Sequence, residues 1–291
     1  MKGLKNMPKT NINGPLMMFS SAVLFSFMAI MVKELSRSIP AAEIIFFRAF
    51  ISFAIIMGMV AFKKVEFKIE QKGKATFRGI MGGISLMLYF NAITMTSVSN
   101  AVLLAYTYPI FASIFSNMYL NEKLTKEKVI FIISAFLGMF LIFQLDYSAL
   151  NLGDLLALIS GITSGMAVVS IRELRKTESS WMIVLSFVFF GTIFSLFFMK
   201  DNIVMPSSSA FISLLLIGIL GTAGQLFQTY AFKLCSTALG GVISMSSVVI
   251  TTILGILIFH DLLTLNMVIG GVLIFASATF FSLKEQYELA K

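Results

Sequence analysis

Amide and hydroxyl side chains recur on one face of an apolar segment around residue 225. Gln225, Gln228 and Thr229 are spaced i, i+3 and i+4, so they lie on the same side of an α-helix. Unpaired amides are costly in lipid, and we therefore expect this face to point into protein or water. Such a face can hydrogen-bond a solute. For Gln228, helix packing is the alternative role.

Other apolar segments carry groups that could complete the same site. These groups are phenols, an amide and a hydroxyl, and they suit an amphipathic or zwitterionic solute. For one of the phenols, that of Tyr89, helix packing is the alternative role. Pro109 frees a backbone carbonyl and kinks its helix, which makes it a candidate hinge or a static kink. The candidate substrate-binding residues in these segments are Tyr89, Asn91, Tyr106 and Ser244.

Arg48 is a charged residue inside an apolar segment. It lies about seven residues into the segment, or about 10 Å at the helical rise. A charge near the bilayer centre costs at least ~2.5–3.5 kcal/mol on insertion scales. Glu43 is five positions away, about 140° round the helix, and is not an obvious partner. Arg48 is therefore predicted either to contact an anion or carboxylate at a cavity edge, or to clamp the outer helix end by packing and hydrogen bonding.

The scarcity of reactive side chains narrows the function classes. The chain has one cysteine, Cys235, and one histidine, His260, so neither a disulfide framework nor a multi-histidine metal site is predicted. We expect no cofactor, no metal and no enzymatic activity, since a membrane enzyme would need clustered His, Asp or Glu. The sequence has no phosphate-binding P-loop, which argues against ATP-driven transport. No carboxylate lies mid-segment, which favours a facilitator or exchanger over a proton antiporter.

Ten apolar segments must position these residues. Apolar residues make up 58% of the 291-residue chain and charged residues only 12%, half the share typical of a soluble domain. A helix needs about 20 apolar residues to cross a bilayer. We therefore predict an all-α membrane protein with ten transmembrane helices. Their approximate ranges are 15–35, 41–62, 77–95, 98–120, 128–145, 152–171, 181–199, 210–232, 239–259 and 265–283.

The basic residues predict the orientation in the membrane. If the N-terminus is cytoplasmic, 18 of the 22 Lys and Arg residues lie in cytoplasmic segments and three lie outside. We therefore predict a multi-pass protein of the cell (inner) membrane with both termini in the cytoplasm. The same asymmetry explains the net charge of +8 without a nucleic-acid partner. The expected partners are the lipid bilayer and a small-molecule solute.

The chain matches itself when shifted by 139 residues. Gly14 and Ser21 then meet Gly153 and Ser160, and many other pairs also coincide. Chance matching among apolar segments is the alternative, but the matches include polar residues at loop ends. We predict two repeats, residues 14–145 and 153–284. Because each has five helices, an odd number, the second starts on the opposite side of the membrane. Such inverted-topology repeats are typical of secondary transporters.

Several short motifs are distributed over the two halves in a specific order and spacing. Glu122 and Asp261 are equivalent under the shift and are predicted to cap the fifth and tenth helices. The motifs are Phe46-Phe47-Arg48, Pro109, Asn121-Glu122-Lys123-Leu124-Thr125 and His260-Asp261-Leu262-Leu263-Thr264. With these motifs, the chain resembles the EamA family of the drug/metabolite transporter superfamily over about residues 14–283. It departs from the family at Asp261, where Glu is common, and at Val248, where Pro is frequent.

The resemblance implies ten helices around a central cavity and transport of small organic solutes, often amino acids or related metabolites. We therefore expect a secondary transporter that acts by alternating access. The stretch from Glu43 to Arg48 is also similar to the S-adenosylmethionine-uptake branch, so uptake or exchange of a related metabolite is an alternative. An alternative of another class is a structural or regulatory membrane subunit that transports nothing.

Overall fold

A computed structural model describes residues 13–96, 98–143, 151–199, 203–260 and 262–289, and within them the regular elements are α-helices without β-strands. In chain order the helices are α1 (Asn13–Leu35), α2 (Ala41–Ala61), α3 (Lys72–Met95), α4 (Val98–Ala105), α5 (Tyr108–Leu120), α6 (Lys126–Phe143), α7 (Leu152–Leu174), α8 (Ser180–Phe198), α9 (Ser208–Leu234), α10 (Thr237–Ser244), α11 (Ser246–Phe259) and α12 (Leu265–Leu289).

Eight stretches of the described chain are long and apolar enough to cross a membrane. Two of them are kinked pairs: Asn100–Leu120 covers most of α4 and all of α5, and Thr237–Phe259 covers α10 and α11. The protein is therefore a multi-pass, all-helical membrane protein. Helices α3 and α6 are not among the eight, and each carries three charged residues near its start: Lys72, Lys74 and Arg78 in α3, and Lys126, Glu127 and Lys128 in α6. The count of ten spans stays a prediction.

Helix starts follow local chemistry. Asn151 accepts a hydrogen bond from the Asp154 N–H, and the Asp154 side chain accepts one from the Asn151 N–H, which forms a capping box on α7. Ser207 and Ser236 cap α9 and α10, since each serine hydroxyl accepts a hydrogen bond from a backbone N–H three residues later. The sequence interpretation was wrong at α3, which begins at Lys72 rather than near residue 77. The predicted break around residues 146–148 lies outside the described residues.

Two spans are kinked at corresponding places. In the first, Pro109 has no N–H to donate to the carbonyl of Ala105, and the kink falls at residues 106–107. In the second, the equivalent residue is Val248, whose N–H bonds to the Met245 carbonyl three residues back at 3.0 Å. This tighter 3₁₀-type turn replaces one α-helical hydrogen bond. The second kink therefore forms without a proline.

The helices pack in pairs. α1 lies on α9 and α3 on α7, while α2 packs on α8 and α6 on α12. A Cβ added to Gly218 of α9 would lie 2.5 Å from Ile51 of α2, so the glycine allows these two helices to approach closely. The largest buried apolar cluster includes residues of α5, α6, α7 and α9 to α12. Residues of both kinked spans, such as Leu103 and Val242, belong to it.

Candidate functional site

The two kinks face each other. The hydroxyl groups of Tyr106 and Ser247 lie 2.8 Å apart. The hydroxyl groups of Tyr108 and Ser244 are also hydrogen-bonded. All four residues flank the kinks, which lie near the middle of spans Asn100–Leu120 and Thr237–Phe259. The predicted site residues Tyr106 and Ser244 are thus each hydrogen-bonded to a residue of the other kink. The sequence had not indicated either of these pairs.

Helix α1 joins this polar layer through Ser26. Its hydroxyl lies 2.7 Å from the Ala22 carbonyl oxygen and 3.0 Å from the Ser247 carbonyl oxygen, so it links α1 to the kink of α10 and α11. Ser246, which precedes Ser247 in the chain, is buried, and the Ser246 hydroxyl has no hydrogen-bond partner among the described residues. The centre of the molecule therefore contains polar groups with free hydrogen-bonding capacity.

The polar face predicted on α9 is turned inward. Gln225 and Thr229 are buried and Gln228 is partly exposed. The Gln225 Nε2 atom donates to the Gln228 Oε1 atom at 3.2 Å. In the described part of the chain, neither amide makes another side-chain hydrogen bond, and the Thr229 hydroxyl has no partner. The two amides thus keep most of their donors and acceptors available.

The α3 residues behave differently from one another. Tyr89 is partly buried against a small alanine cluster that includes Ala92. The Asn91 Nδ2 atom donates to the Met87 carbonyl at 2.8 Å, one turn back on its own helix. Between Tyr89 and Gln228, no hydrogen bond is found in the part of the chain that the structure describes. Their predicted shared cavity stays a prediction.

Arg48 borders a narrow cleft between α2, α3, α8 and α9. Its guanidinium lies 5.9 Å from the centre of the Phe25 ring. A Cβ on Gly221 would lie 2.9 Å from its Nε atom, so this glycine leaves room for the charged group. Gln225 and Ser52 line the same cleft. The structure therefore brings together Arg48 and Gln225, two residues predicted separately.

A second polar network was missed by the sequence interpretation. Glu122 does not cap α6, which begins four residues later. Its Oε1 atom accepts from Arg172 Nε at 2.8 Å, and its Oε2 atom accepts from the Thr237 N–H at 3.0 Å and the Ser116 hydroxyl at 2.7 Å. Glu122 thus caps a different helix, α10. Asp261, its predicted counterpart, lies outside the described residues.

The same network reaches the end of α9. Arg172 Nη1 donates to the Phe232 carbonyl at 2.7 Å, so one arginine links α7 to both the α5–α6 loop and α9. Burial raises the pKa of Glu122, but its three hydrogen bonds and the Arg172 charge outweigh burial, and the net pKa lies below its ordinary value of 4.5. We name Glu122, Arg172, Thr237, Ser116 and Phe232 the end clamp.

The geometry fits a known group of membrane proteins. The model of the EamA-like transporter family matches residues 12–144 and again residues 151–283. The chain belongs to the EamA-like transporter family. Its members are transporters rather than enzymes, so this EamA-like protein moves a small solute across a membrane. Among the described residues, no three His, Cys, Asp or Glu side chains are grouped to hold a metal ion.

Several relatives cover nearly the whole EamA-like chain. It is 30% identical to the pseudopaline exporter CntI of Pseudomonas aeruginosa over 90% of this chain and 93% of that protein. It is 22% identical to the S-adenosylmethionine uptake transporter of Rickettsia prowazekii, over 97% and 96%. A solved crystal structure with 19% identity superposes with a TM-score of 0.79 and covers 93% of this chain and 96% of that one, which shows a shared fold.

Proposed function

We propose that this EamA-like protein is a secondary transporter that moves a small organic solute, an amino acid or a related metabolite, across the cytoplasmic membrane by alternating access. The observation that carries the proposal is the contact between the two kinked spans, Tyr106 with Ser247 and Tyr108 with Ser244. Interrupted helices in corresponding positions of two halves mark the solute site in many secondary transporters.

The proposal includes ten spans arranged as two inverted repeats, residues 14–145 and 153–284. Adding 139 to the bounds of α1 gives those of α7, and adding it to α4 gives α10. Asn121 and His260 are also 139 residues apart, and both end their helices with a left-handed backbone, at φ 56° and 58°. Helices α3 and α6 have 24 and 18 residues, about 36 and 27 Å, which is close to the bilayer core.

The packing supports a relation between the halves. Under the shift of 139 residues, α1 corresponds to α7 and α3 corresponds to α9. The contact of α1 with α9 is therefore equivalent to the contact of α7 with α3. α2 and α8 are equivalent to each other, as are α6 and α12, and each of these pairs is in contact. Two halves of similar structure and opposite orientation can exchange conformations, which opens the shared site to one side and then to the other.

In the proposed orientation the end clamp closes the cytoplasmic side. Arg172 and Thr237 belong to the second half, whereas Glu122 and Ser116 belong to the first. Their hydrogen bonds hold the ends of α5, α7 and α9 and the start of α10 together. Inward opening would separate these ends and break the bonds. Pro109 in the first kink is the proposed hinge for the motion of α5.

The proposed solute contacts lie around the kinks and the face of α9. Hydroxyl, phenol and amide groups can bind a neutral or zwitterionic solute through hydrogen bonds. Asn91 holds its own helix backbone and would have to release it to contact a solute. The proposed substrate-binding residues are Tyr89, Asn91, Tyr106, Gln225, Gln228, Ser244 and Arg48.

A second candidate function is uptake or exchange of an S-adenosylmethionine-like metabolite. The observation that favours it is the match to the Rickettsia uptake transporter over 97% of this chain. A relative named as an exporter matches as well, so the relatives share movement of a metabolite rather than one direction of flux.

The test is solute movement by the purified protein. A metabolite panel that includes amino acids and S-adenosylmethionine is first screened for thermal stabilisation, since a bound solute raises the melting temperature. Labelled hits are then followed into liposomes that contain the protein and into empty liposomes. We expect saturable exchange only in the first. If solutes that stabilise the protein never cross, the chain is a binding or regulatory subunit and the proposal is wrong.

A further inference from the structure

Arg48 is a cation within a membrane span, and the described part of the chain places no carboxylate beside it. Of the arginines in the described chain, Arg37 and Arg172 form ion pairs with Glu34 and Glu122. Arg78 and Arg175 form none among the described residues, but neither lies in one of the eight apolar stretches. Arg48 has no carboxylate oxygen within 4.0 Å among the described residues. A charge at this depth is costly without a partner, and the described residues supply no carboxylate for it.

The nearest carboxylate along the helix is engaged elsewhere. Glu43 is buried, and its Oε2 atom accepts a hydrogen bond from the Val204 N–H at 3.1 Å, which ties it to the loop before α9. Arg48 instead has aromatic and small neighbours: the Phe25 ring at 5.9 Å and the hydrogen atoms of Gly221 beside its Nε atom. Neither neutralises the charge, although the ring contributes a weak cation–π attraction.

The space beside Arg48 is small and mixed in character. Its polar lining comes from Arg48, Ser52 and Gln225, and the rest is apolar. The enclosed space has room for about one water molecule, which is also the room that one carboxylate oxygen needs. The Ser52 hydroxyl donates to the Arg48 carbonyl and accepts from Thr222. The free donors that face the space are therefore the guanidinium and the Gln225 amide.

From this geometry we infer that the solute carries a carboxylate, and that Arg48 binds it with help from the Gln225 amide. The inference rests on the proposed transport function and names the substrate class for the same site. The guanidinium can donate a charge-assisted hydrogen bond to the one carboxylate oxygen that the space admits, and such bonds are about twice as strong as neutral ones. Gly221 is a positioning residue here, since a larger side chain would push the guanidinium aside.

The test uses acetate and acetamide as probes, because they have the same size and differ in charge. The melting temperature of the purified protein is measured against each probe at constant ionic strength. We expect acetate to stabilise the wild-type protein in a saturable manner and acetamide to have little effect. Equal responses to the two probes would mean that the cleft holds only water, and would overturn the inference.

Three variants test which residues the stabilisation by acetate requires. Arg48→Gln should weaken the apparent affinity for acetate at least tenfold. Gly221→Ala keeps the charge but places a Cβ 2.9 Å from the Arg48 Nε atom, so it should weaken acetate binding even if Arg48→Gln does not fold. Arg175→Gln is the control: Arg175 is a buried arginine 5.1 Å from the Tyr230 ring, and neither residue lines the cleft. It should keep the acetate response.

The outcomes separate this inference from the proposed function. An undiminished acetate response in both Arg48→Gln and Gly221→Ala would overturn the carboxylate site, whatever the transport assay shows. An acetate response that depends on Arg48 would support the site even if no solute crosses liposomes, and in that case the transport proposal alone fails. Saturable exchange of acid solutes but not of their amides, lost in Arg48→Gln, would support both.

Discussion

Some polar side chains in this protein hold two helices together through hydrogen bonds, whereas others have hydrogen-bonding groups that the described part of the chain does not use. Ser85 is of the first kind, since its hydroxyl lies 3.0 Å from the Ser160 carbonyl and holds α3 against α7. Gln225 and Gln228 are of the second kind: each amide can make up to four hydrogen bonds, and the structure shows one, shared between them. Spare bonding capacity inside a membrane protein is expected where a solute binds.

At this scale we predict that Gln228→Leu reduces solute exchange by roughly tenfold, since the loss of one hydrogen bond to a bound solute amounts to about 1–1.5 kcal/mol. The change should affect folding little, because Gln228 is partly exposed and its described side-chain bond is to Gln225. Exchange in liposomes and the melting temperature are measured together.

The matched control for this change is Gln286→Leu. Gln286 is also a helical glutamine bonded one turn away, to the Ser282 hydroxyl at 3.2 Å, but it lies on α12 outside the proposed site. We expect its exchange to stay at the wild-type level. Normal exchange by Gln228→Leu would show that the polar face of α9 serves helix packing.

At the scale of elements, the kinks and the end clamp show two ways to hold helices. The first kink relies on Pro109, whereas the second relies on a tightened turn at Met245. The end clamp joins four helices through the partly buried pair of Arg172 and Glu122, whose side chains are 27% and 20% exposed. Removal of one partner from such a pair leaves the other charge poorly solvated.

We therefore predict that Glu122→Gln lowers the stability of this conformation by about 1–3 kcal/mol, because it leaves Arg172 without its counter-charge. The measurement is thermal unfolding in detergent. Glu70→Gln is the control, since Glu70 pairs with Lys68 at 2.7 Å on the exposed surface and should change the melting temperature little. Similar small shifts in both variants would mean that the end clamp is not a stabilising contact.

The effect should also depend on pH. The folded pKa of Glu122 lies below its ordinary value of 4.5, so the folded protein binds fewer protons at this site than the unfolded chain. Its contribution is therefore fully present above pH 4.5 and is lost as the pH falls through the lower folded pKa. The difference in stability between wild type and Glu122→Gln should be constant near neutral pH and shrink in acid.

At the scale of the whole molecule, the internal shift of 139 residues relates helix bounds, left-handed helix ends and packing pairs at once. Under the proposed five membrane-spanning helices in each half, the loops that end α2 and α8 should lie on opposite sides of the membrane. Lys72, at the start of α3, and Ser208, at the start of α9, are both exposed and report on these two loops.

We predict that an impermeant maleimide added to intact cells labels Ser208→Cys but not Lys72→Cys, both in a Cys235→Ser background. The native thiol interferes little in any case, because burial and the nearby charge of Glu285 raise the pKa of Cys235 to about 12. Labelling of Lys72→Cys in permeabilised cells is the control for its reactivity. The reverse pattern in intact cells would contradict both the topology and the inverted repeat.

Hydropathy and spacing, by themselves, determined the membrane class, most helix positions and the polar face of α9, because each depends on residues close in the chain. They were wrong about the start of α3, which was predicted near residue 77 although Lys72 and Lys74 lie in its first turn, because basic side chains are compatible with a helix end. They also assigned Glu122 to the helix that follows it, since capping is the usual local role of such a residue.

Only the tertiary structure decided which polar groups meet. Tyr106 and Ser247 are 141 residues apart, and Glu122 and Arg172 are 50 apart. Such pairs depend on how helices from the two halves pack and rotate, which no local pattern records. The sequence placed Arg48 at its depth in α2, but its surroundings arise where α1, α2 and α9 converge, because Phe25 and Gly221 reach it from separate helices.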